Sequence, residues 1–353
     1  MKRVLFVVLF LFGVLPVAAQ DAGDGATITG LNNPRLLDYG ADGTLYIAEA
    51  GIAGDMEADS DLGPVQYGPS ARVMALAPGA SEAEVAVDNL ISAVGFNNYL
   101  GVNAVIATAD GWWLALGNGP VLENVHTTGV LQLDAAGEEV RFVDFAAVEA
   151  ALNPDNDFVA ANPIDIAVAE DGTVYVLDAS GNALYSLSGD GEPELFHVWE
   201  DLPVPTAIDI GPEGDIYVAF LSAFPFPAGS ARVERWTSDG ELVTTFEGLT
   251  GVTDVLAADD GSVYAVEMST NFGDMGWEAN AGRVVSLQES GVAVVAEELN
   301  FPYGIAMSPD GMLAVSINSA FVEPGAGAVI WVDPSMARDL MDVAPVATEE
   351  ANS

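Results

Sequence analysis

The chain has 353 residues, with 53 Asp and Glu against 9 Lys and Arg, 2 His, no Cys and a formal net charge of −44. Without cysteine there are no disulfides, thiolate metal sites or thiol nucleophiles. Without clustered Lys and Arg there is no means of displacing counterions from a phosphate backbone, which excludes nucleic-acid binding, and two histidines leave little room for histidine-based catalysis.

In chain order the first element is an export signal, residues 1–19. Lys2 and Arg3 precede an apolar run, VLFVVLFLFGVLPVAA, that ends in small residues and places cleavage between Ala19 and Gln20. The run is shorter than the roughly 20 residues a spanning helix needs. The mature chain is therefore expected to be secreted, periplasmic or held at the cell surface, with no transmembrane segment. It carries 53 acids against 7 arginines, a net charge of −46.

A strand–turn–strand unit then recurs at 36–50, 104–117, 165–179, 207–220, 254–268 and 304–318. Each copy turns at Asp-Gly, or once at Glu213-Gly214, between alternating apolar runs, which is a strong hairpin signal. Third strands follow at 72–78, 129–135, 183–189, 232–238, 283–289 and 328–334, but fourth strands only at 84–90, 139–145, 193–199, 242–248 and 292–298. The segment ATITGLNNP, 26–34, supplies the missing one. The sequence thus predicts an all-β fold, a six-bladed β-propeller of four-stranded antiparallel blades over 26–335. The N-terminal strand completes the last blade and closes the ring. Residues 336–353 read as an acidic, disordered tail.

Extra length falls in 51–71, 117–128, 145–164, 220–231, 269–282 and 318–327, all on one face of a meandering propeller. Loops on a rigid scaffold are where binding resides. Around the channel on that face the second strands end at Glu49, Gly117-Asn118, Asp178, Phe220, Glu267 and Asn318. The first strands begin there at Arg35, Asn103, Asp165, Thr206, Asp254 and Tyr303. Glu49, Asn118, Asp178 and Glu267 are the candidate oxygen ligands for Ca²⁺ or another divalent cation. Arg35, Tyr303, Phe224 and Phe226 are the candidate ligand-face residues, the two phenylalanines standing on a proline-stiffened loop. The acids at 55–61 open like a calcium loop but have Gln66 at the twelfth position, so they read as a solvated loop. Asp155-Asn156-Asp157 is a shorter version of the same pattern.

The motifs GLNNPR (30–35), LYIAEAG (45–51), YGPSARV (67–73), NPDNDFVAANP (153–163), VPTAIDIGPEGDIYVAFLSAFPFPAGSARV (204–233) and FPYGIAMSPDG (301–311) together resemble the ScyD/ScyE family of exported, NHL-like propeller proteins. The resemblance spans nearly the whole mature chain. It implies the same fold and export and leaves the activity undefined. Relatives often carry a cysteine pair in the 51–71 loop, and this chain has none. There is no G-x-S-x-G elbow and no complete catalytic set. The sequence therefore favours a binding or scaffold protein that takes a small molecule, glycan or protein on its loop-rich face. The alternative is a metal-dependent lactonase or esterase of the gluconolactonase-like type, in which a central metal polarises a carbonyl and activates water.

Overall fold

The computed structural model describes residues 27–60, 63–95, 98–120, 122, 125–289 and 291–339. The signal at 1–19 and residues 340–353 of the expected tail lie outside the described residues.

The hairpin turns set the repeat. In the first unit Gly43 has φ 82°, its N–H reaches the Gly40 carbonyl at 2.8 Å, and Asp42 Oδ1 accepts the Thr44 N–H at 2.9 Å. The same aspartate-to-amide bond recurs at Asp171–Thr173 and Asp260–Ser262. Aspartate closes the turn locally and glycine alone takes the left-handed φ without steric cost.

Six antiparallel sheets follow from the six turns. Blade 1 contains Pro34–Tyr39, Leu45–Glu49, Gly63–Leu76 and Glu84–Gly95, and blade 2 contains Val102–Thr108, Gly111–Leu116, Gly129–Asp134 and Glu139–Asp144. Blade 3 contains Pro163–Val168, Val174–Asp178, Ala183–Leu187 and Glu194–Val198. Blade 4 contains Pro205–Ile210, Ile216–Phe220, Ala231–Trp236 and Leu242–Leu249. Blade 5 contains Val252–Ala257, Val263–Glu267, Gly282–Gln288 and Gly291–Leu299. Blade 6 contains Ile305–Met307, Leu313–Ile317 and Gly327–Val332, and its outer strand is the N-terminal Ile28–Leu31, with Ile28 opposite Val329 and Leu31 opposite Gly327. Closing the last sheet with the first strand covers the edge of Gly327–Val332 and leaves a short, four-residue strand as the outer edge of the blade.

The core lies between blades rather than inside one of them. An apolar cluster fills each of the six interfaces around the ring, such as Leu45, Ile47, Ala314 and Val329 between blades 6 and 1. The innermost strands are additionally stapled by side chains that reach across to the next blade. Asp38 Oδ2 accepts from Ala107 N at 2.7 Å, Asp165 Oδ2 from Ile208 N at 2.8 Å, Asp209 Oδ2 from Ala257 N at 2.7 Å and Asp254 Oδ2 from Ile305 N at 2.7 Å. Asn103 Nδ2 donates to the Pro163 carbonyl at 2.9 Å, and at the sixth junction Ser316 Oγ, on the second strand of blade 6, donates to the Arg35 carbonyl at 2.9 Å. Every blade junction thus carries a polar bond to an inner strand.

Three segments differ from the sequence expectation. The acidic stretch read as a loop at 55–61 is, among its described residues, a strand over 56–60. Met56–Ser60 pairs with Gly63–Tyr67 in a hairpin arm that extends blade 1, because backbone pairing satisfies groups a loop would leave to water. The 145–164 link contains a helix, Phe145–Leu152, capped by Asp144 Oδ1 on the Ala147 N–H at 3.0 Å. Past residue 335 the chain is still ordered: Arg338–Asp339 pairs with Ala293 and Val294 on the outer edge of blade 5, and Arg338 forms an ion pair with Glu297.

Candidate functional site

The axial channel is a cavity of about 770 Å³ lined by the inner strands of all six blades. Its acids are Asp38, Asp165, Asp209 and Asp254 on the inner strands, with Asp259 and Asp260 at the turn of blade 5. Burial pushes the inner-strand carboxyls up: Asp38 to about 7 and Asp209 to about 6, against the backbone N–H bonds that oppose the rise. Asp165 and Asp254 lie well above the usual carboxylate range for the same reason, each raised further by neighbouring aspartates. These carboxyls are structural staples that face a shared, electrically unbalanced cavity.

At the loop-face end of the channel, Arg35 is buried. It stacks over the Tyr303 ring at 4.8 Å and donates to the Ser319 carbonyl at 2.5 Å and the Tyr99 carbonyl at 2.8 Å. Burial lowers its pKa, and Tyr303 partly offsets this. Arg35 therefore locks blade 6 to blade 1 under the hairpin arm, and its guanidinium is not presented to solvent. Tyr303 is half-buried beneath it.

Of the four residues read as cation ligands, Glu49 and Glu267 are engaged in their own blades through both carboxylate oxygens, and Asp178 through one. Glu49 is fully buried, forms an ion pair with Arg72 opposite it on the third strand, and accepts the Asn32 N–H. Glu267 repeats this with Arg283 and the Thr250 N–H at 2.7 Å. Burial raises the Glu267 carboxyl, and the bond to Arg283 opposes that rise. Asp178 Oδ1 accepts from Asn162 N at 2.8 Å and from Ser180 N and Gly181 N at 3.0 Å each. Asn118 opens the 117–128 loop with φ 42°. Among the described residues no three acidic or histidine side chains come together as a metal-binding group, so Glu49, Asp178 and Glu267 do not converge. This donor set does not fit a central metal. The strand ends bear carboxylates because each one caps the link entering its own blade, a local role that spacing alone does not distinguish from a shared site.

The loop face carries a different feature. Phe224 and Phe226, on the 220–231 loop of blade 4, meet Phe272 and Trp277, on the 269–282 loop of blade 5. Ring centroids lie 5.0 Å apart for Phe226–Phe272, 5.1 Å for Phe226–Trp277 and 6.1 Å for Phe224–Phe272. Trp277 is anchored against Gly251, where a Cβ would come within 2.9 Å of its ring. Phe224 is 76% exposed, and Phe226, Phe272 and Trp277 are half-buried beneath and beside it. The sequence singled out the two phenylalanines of the first loop. It did not pair them with Phe272 and Trp277, whose only sequence signal was two aromatics in another long loop. Ile52, Phe158, Met275 and Phe321, all in loops of this face, are exposed as well. The opposite face presents the acidic turns at Asp42, Asp110, Asp171, Glu213, Asp260 and Asp310.

The two histidines have structural partners. His126 stacks on Phe142 at 3.8 Å and meets Glu139 at 3.1 Å, while His197 packs between Trp199 and Trp236, where burial lowers its pKa.

With this geometry in view, the comparisons with solved structures are informative about fold. The chain is similar to a gluconolactonase from Xanthomonas campestris at 12% identity, covering 88% of this chain and 90% of that one, with a TM-score of 0.54. It is similar to a protein of unknown function from Bacteroides thetaiotaomicron at 12% identity, covering 88% and 75%, with a TM-score of 0.50. Virginiamycin B lyase from Staphylococcus aureus matches at 12% identity over 85% and 95%, with a TM-score of 0.48. The fold is a six-bladed β-propeller. No family profile matches the chain, and no curated protein matches it in sequence. At such identities a shared fold assigns no activity.

Proposed function

We propose that the protein is an exported binding or scaffold propeller of the ScyD/ScyE type that takes its ligand, a small molecule, glycan or protein, on the loop-rich face. The basic and apolar residues at 1–19 support export, and the motifs between Gly30 and Gly311 support the family. The observation that carries the reading is the aromatic patch of Phe224, Phe226, Phe272 and Trp277 shared by two adjacent blades. Exposed aromatic clusters on rigid loops supply large contact area at low entropic cost. The lactonase alternative draws less support, because the carboxylates it needs are taken up by Arg72, Arg283 and backbone amides inside their blades.

The test is a calorimetric panel of soluble glycans and peptides against the full chain, with each binder repeated on Phe224→Ala. Phe224 is largely exposed, so its removal leaves the unfolding free energy within about 0.5 kcal/mol of the wild type and weakens binding at least about tenfold. A binder indifferent to Phe224→Ala, or turnover of a lactone by the wild type, would overturn the reading.

A further inference from the structure

Three of the six second strands end in a carboxylate, and two of the three face an arginine. In blades 1 and 5 the terminal carboxylate, Glu49 or Glu267, faces an arginine directly across the sheet, Arg72 or Arg283. In blade 4 the residue is Phe220, and Arg232 opposite stacks on it at 4.6 Å. In blade 3 the carboxylate is Asp178, and the residue opposite is Ala183. Asp178 is fully buried and has no cation beside it. A second acid, Glu149 from the helix Phe145–Leu152, is 1% exposed in the same place.

Glu149 Oε1 and Oε2, Asp178 Oδ2 and the Tyr185 hydroxyl are all buried, and none has a hydrogen-bond partner. They form one group. A Cβ built on Gly181 would sit 3.0 Å from Glu149 Oε2 and 3.2 Å from Asp178 Oδ2, so the glycine leaves open the space onto which both oxygens face. The two carboxyls and the tyrosine hydroxyl also interact electrostatically with one another. Asp155 stands at the rim, held by Asn182 Nδ2 at 2.9 Å. Among the described residues no arginine is left over to supply a cation here. The chain has no lysine beyond Lys2, and its seven arginines after the signal are committed elsewhere: Arg35 at the blade junction, Arg141 on the Gly189 and Gly191 carbonyls, and the other five on carboxylates.

We propose that Glu149, Asp178 and the Tyr185 hydroxyl form a site for a hard divalent cation of the calcium type, over Gly181, between the helix and blade 3. Oxygen-only ligands and two negative charges match such an ion. It takes the part in blade 3 that arginine plays in blades 1 and 5, and it ties the 145–164 link to the ring. Burial leaves Glu149 at about 7 and Asp178 at about 6 without the ion. An uncompensated buried carboxylate is costly, and both carboxyls become acceptable when a cation sits between them.

The experiment titrates CaCl₂ into the full chain, stripped with EGTA, by calorimetry at about pH 8 and constant ionic strength, where screening suppresses loose binding to the acidic surface. Melting temperatures are measured in parallel. The expected result is one saturable site per chain, weakened at least about tenfold in Glu149→Gln and in Gly181→Ala. In EGTA, Glu149→Gln melts above the wild type, because an unpaired buried charge has gone. In CaCl₂ the order reverses. A wild type with no saturable site, or a Glu149→Gln variant that binds as tightly as the wild type, would overturn the proposal and leave the two carboxyls sharing a proton.

Discussion

The channel aspartates make the stability of this protein fall as pH rises through neutrality, with a sign that the structure dictates. Asp38 and Asp209 have folded values of about 7 and about 6, above the usual value of 3.8, and Asp165 and Asp254 are raised as well. Between the unfolded and folded values the native state binds more protons than the unfolded chain. Stability from these groups is therefore fully present below the unfolded value and is lost as pH climbs through the folded one. A separation of two to three pH units corresponds to roughly 3–4 kcal/mol per group. Water in the 770 Å³ channel screens part of that. Discounting for the screening leaves about 1 kcal/mol each for Asp38 and Asp209 and about 2 kcal/mol together, and Asp165 and Asp254 add to it in the same direction. For a ring of this size those two groups alone raise the melting temperature by roughly 4 °C from about pH 8 to about pH 5. Calorimetric melting in EGTA at constant ionic strength measures it. The double variant Asp38→Asn/Asp209→Asn keeps an oxygen to accept the Ala107 and Ala257 amides and should lose that share, leaving the part of the slope that Asp165, Asp254, Glu149 and Asp178 supply in the same direction. A flat or inverted profile, or a variant with the full slope, would refute the assignment. Further acidification reverses the trend, because the turn aspartates Asp42, Asp171 and Asp260 have values lowered by their bonds to Thr44, Thr173 and Ser262. Their contribution is lost as pH falls through those values.

Two further outcomes separate buried from exposed interactions. Glu267→Ala strands Arg283 and the Thr250 N–H in a dry blade and should cost about 3 kcal/mol in urea unfolding. Glu297→Ala breaks the exposed pair with Arg338 and should cost under about 1 kcal/mol; equal costs would contradict the burial argument. Leu31→Ala, in the strand that closes blade 6, should cost about 2–5 kcal/mol, because the side chain is 2% exposed between blades 6 and 1. A cost under about 0.5 kcal/mol would mean that the ring is stable without that closure.

The fold was legible because its determinants are local. Six Asp-Gly or Glu-Gly turns between alternating strands set the hairpins, and five outer strands for six blades left one place for the segment that begins at residue 26. The hairpin arm from Met56 and the helix from Phe145 were not legible. Each is a short element whose pairing or burial depends on what lies across from it, and each was read as loop. The site residues divide in the same way. Phe224 and Phe226 were visible as two aromatics on a stiff loop, whereas Phe272 and Trp277 join them only because blades 4 and 5 are neighbours.

Sequence by itself determined the number of blades, the strand that closes the ring and the face that carries the long loops, since turn chemistry and period act over a few residues. Tertiary structure alone decided which acids are free. Glu49 and Glu267 look the same in sequence as Asp178, but the residue directly opposite on the third strand is arginine for two of them and alanine for the third. Glu149 comes to the unpaired one only because a helix folds over blade 3. Charge compensation is a property of neighbours in space, and that decided where the carboxylates of so acidic a chain are paired with arginine and where they are not.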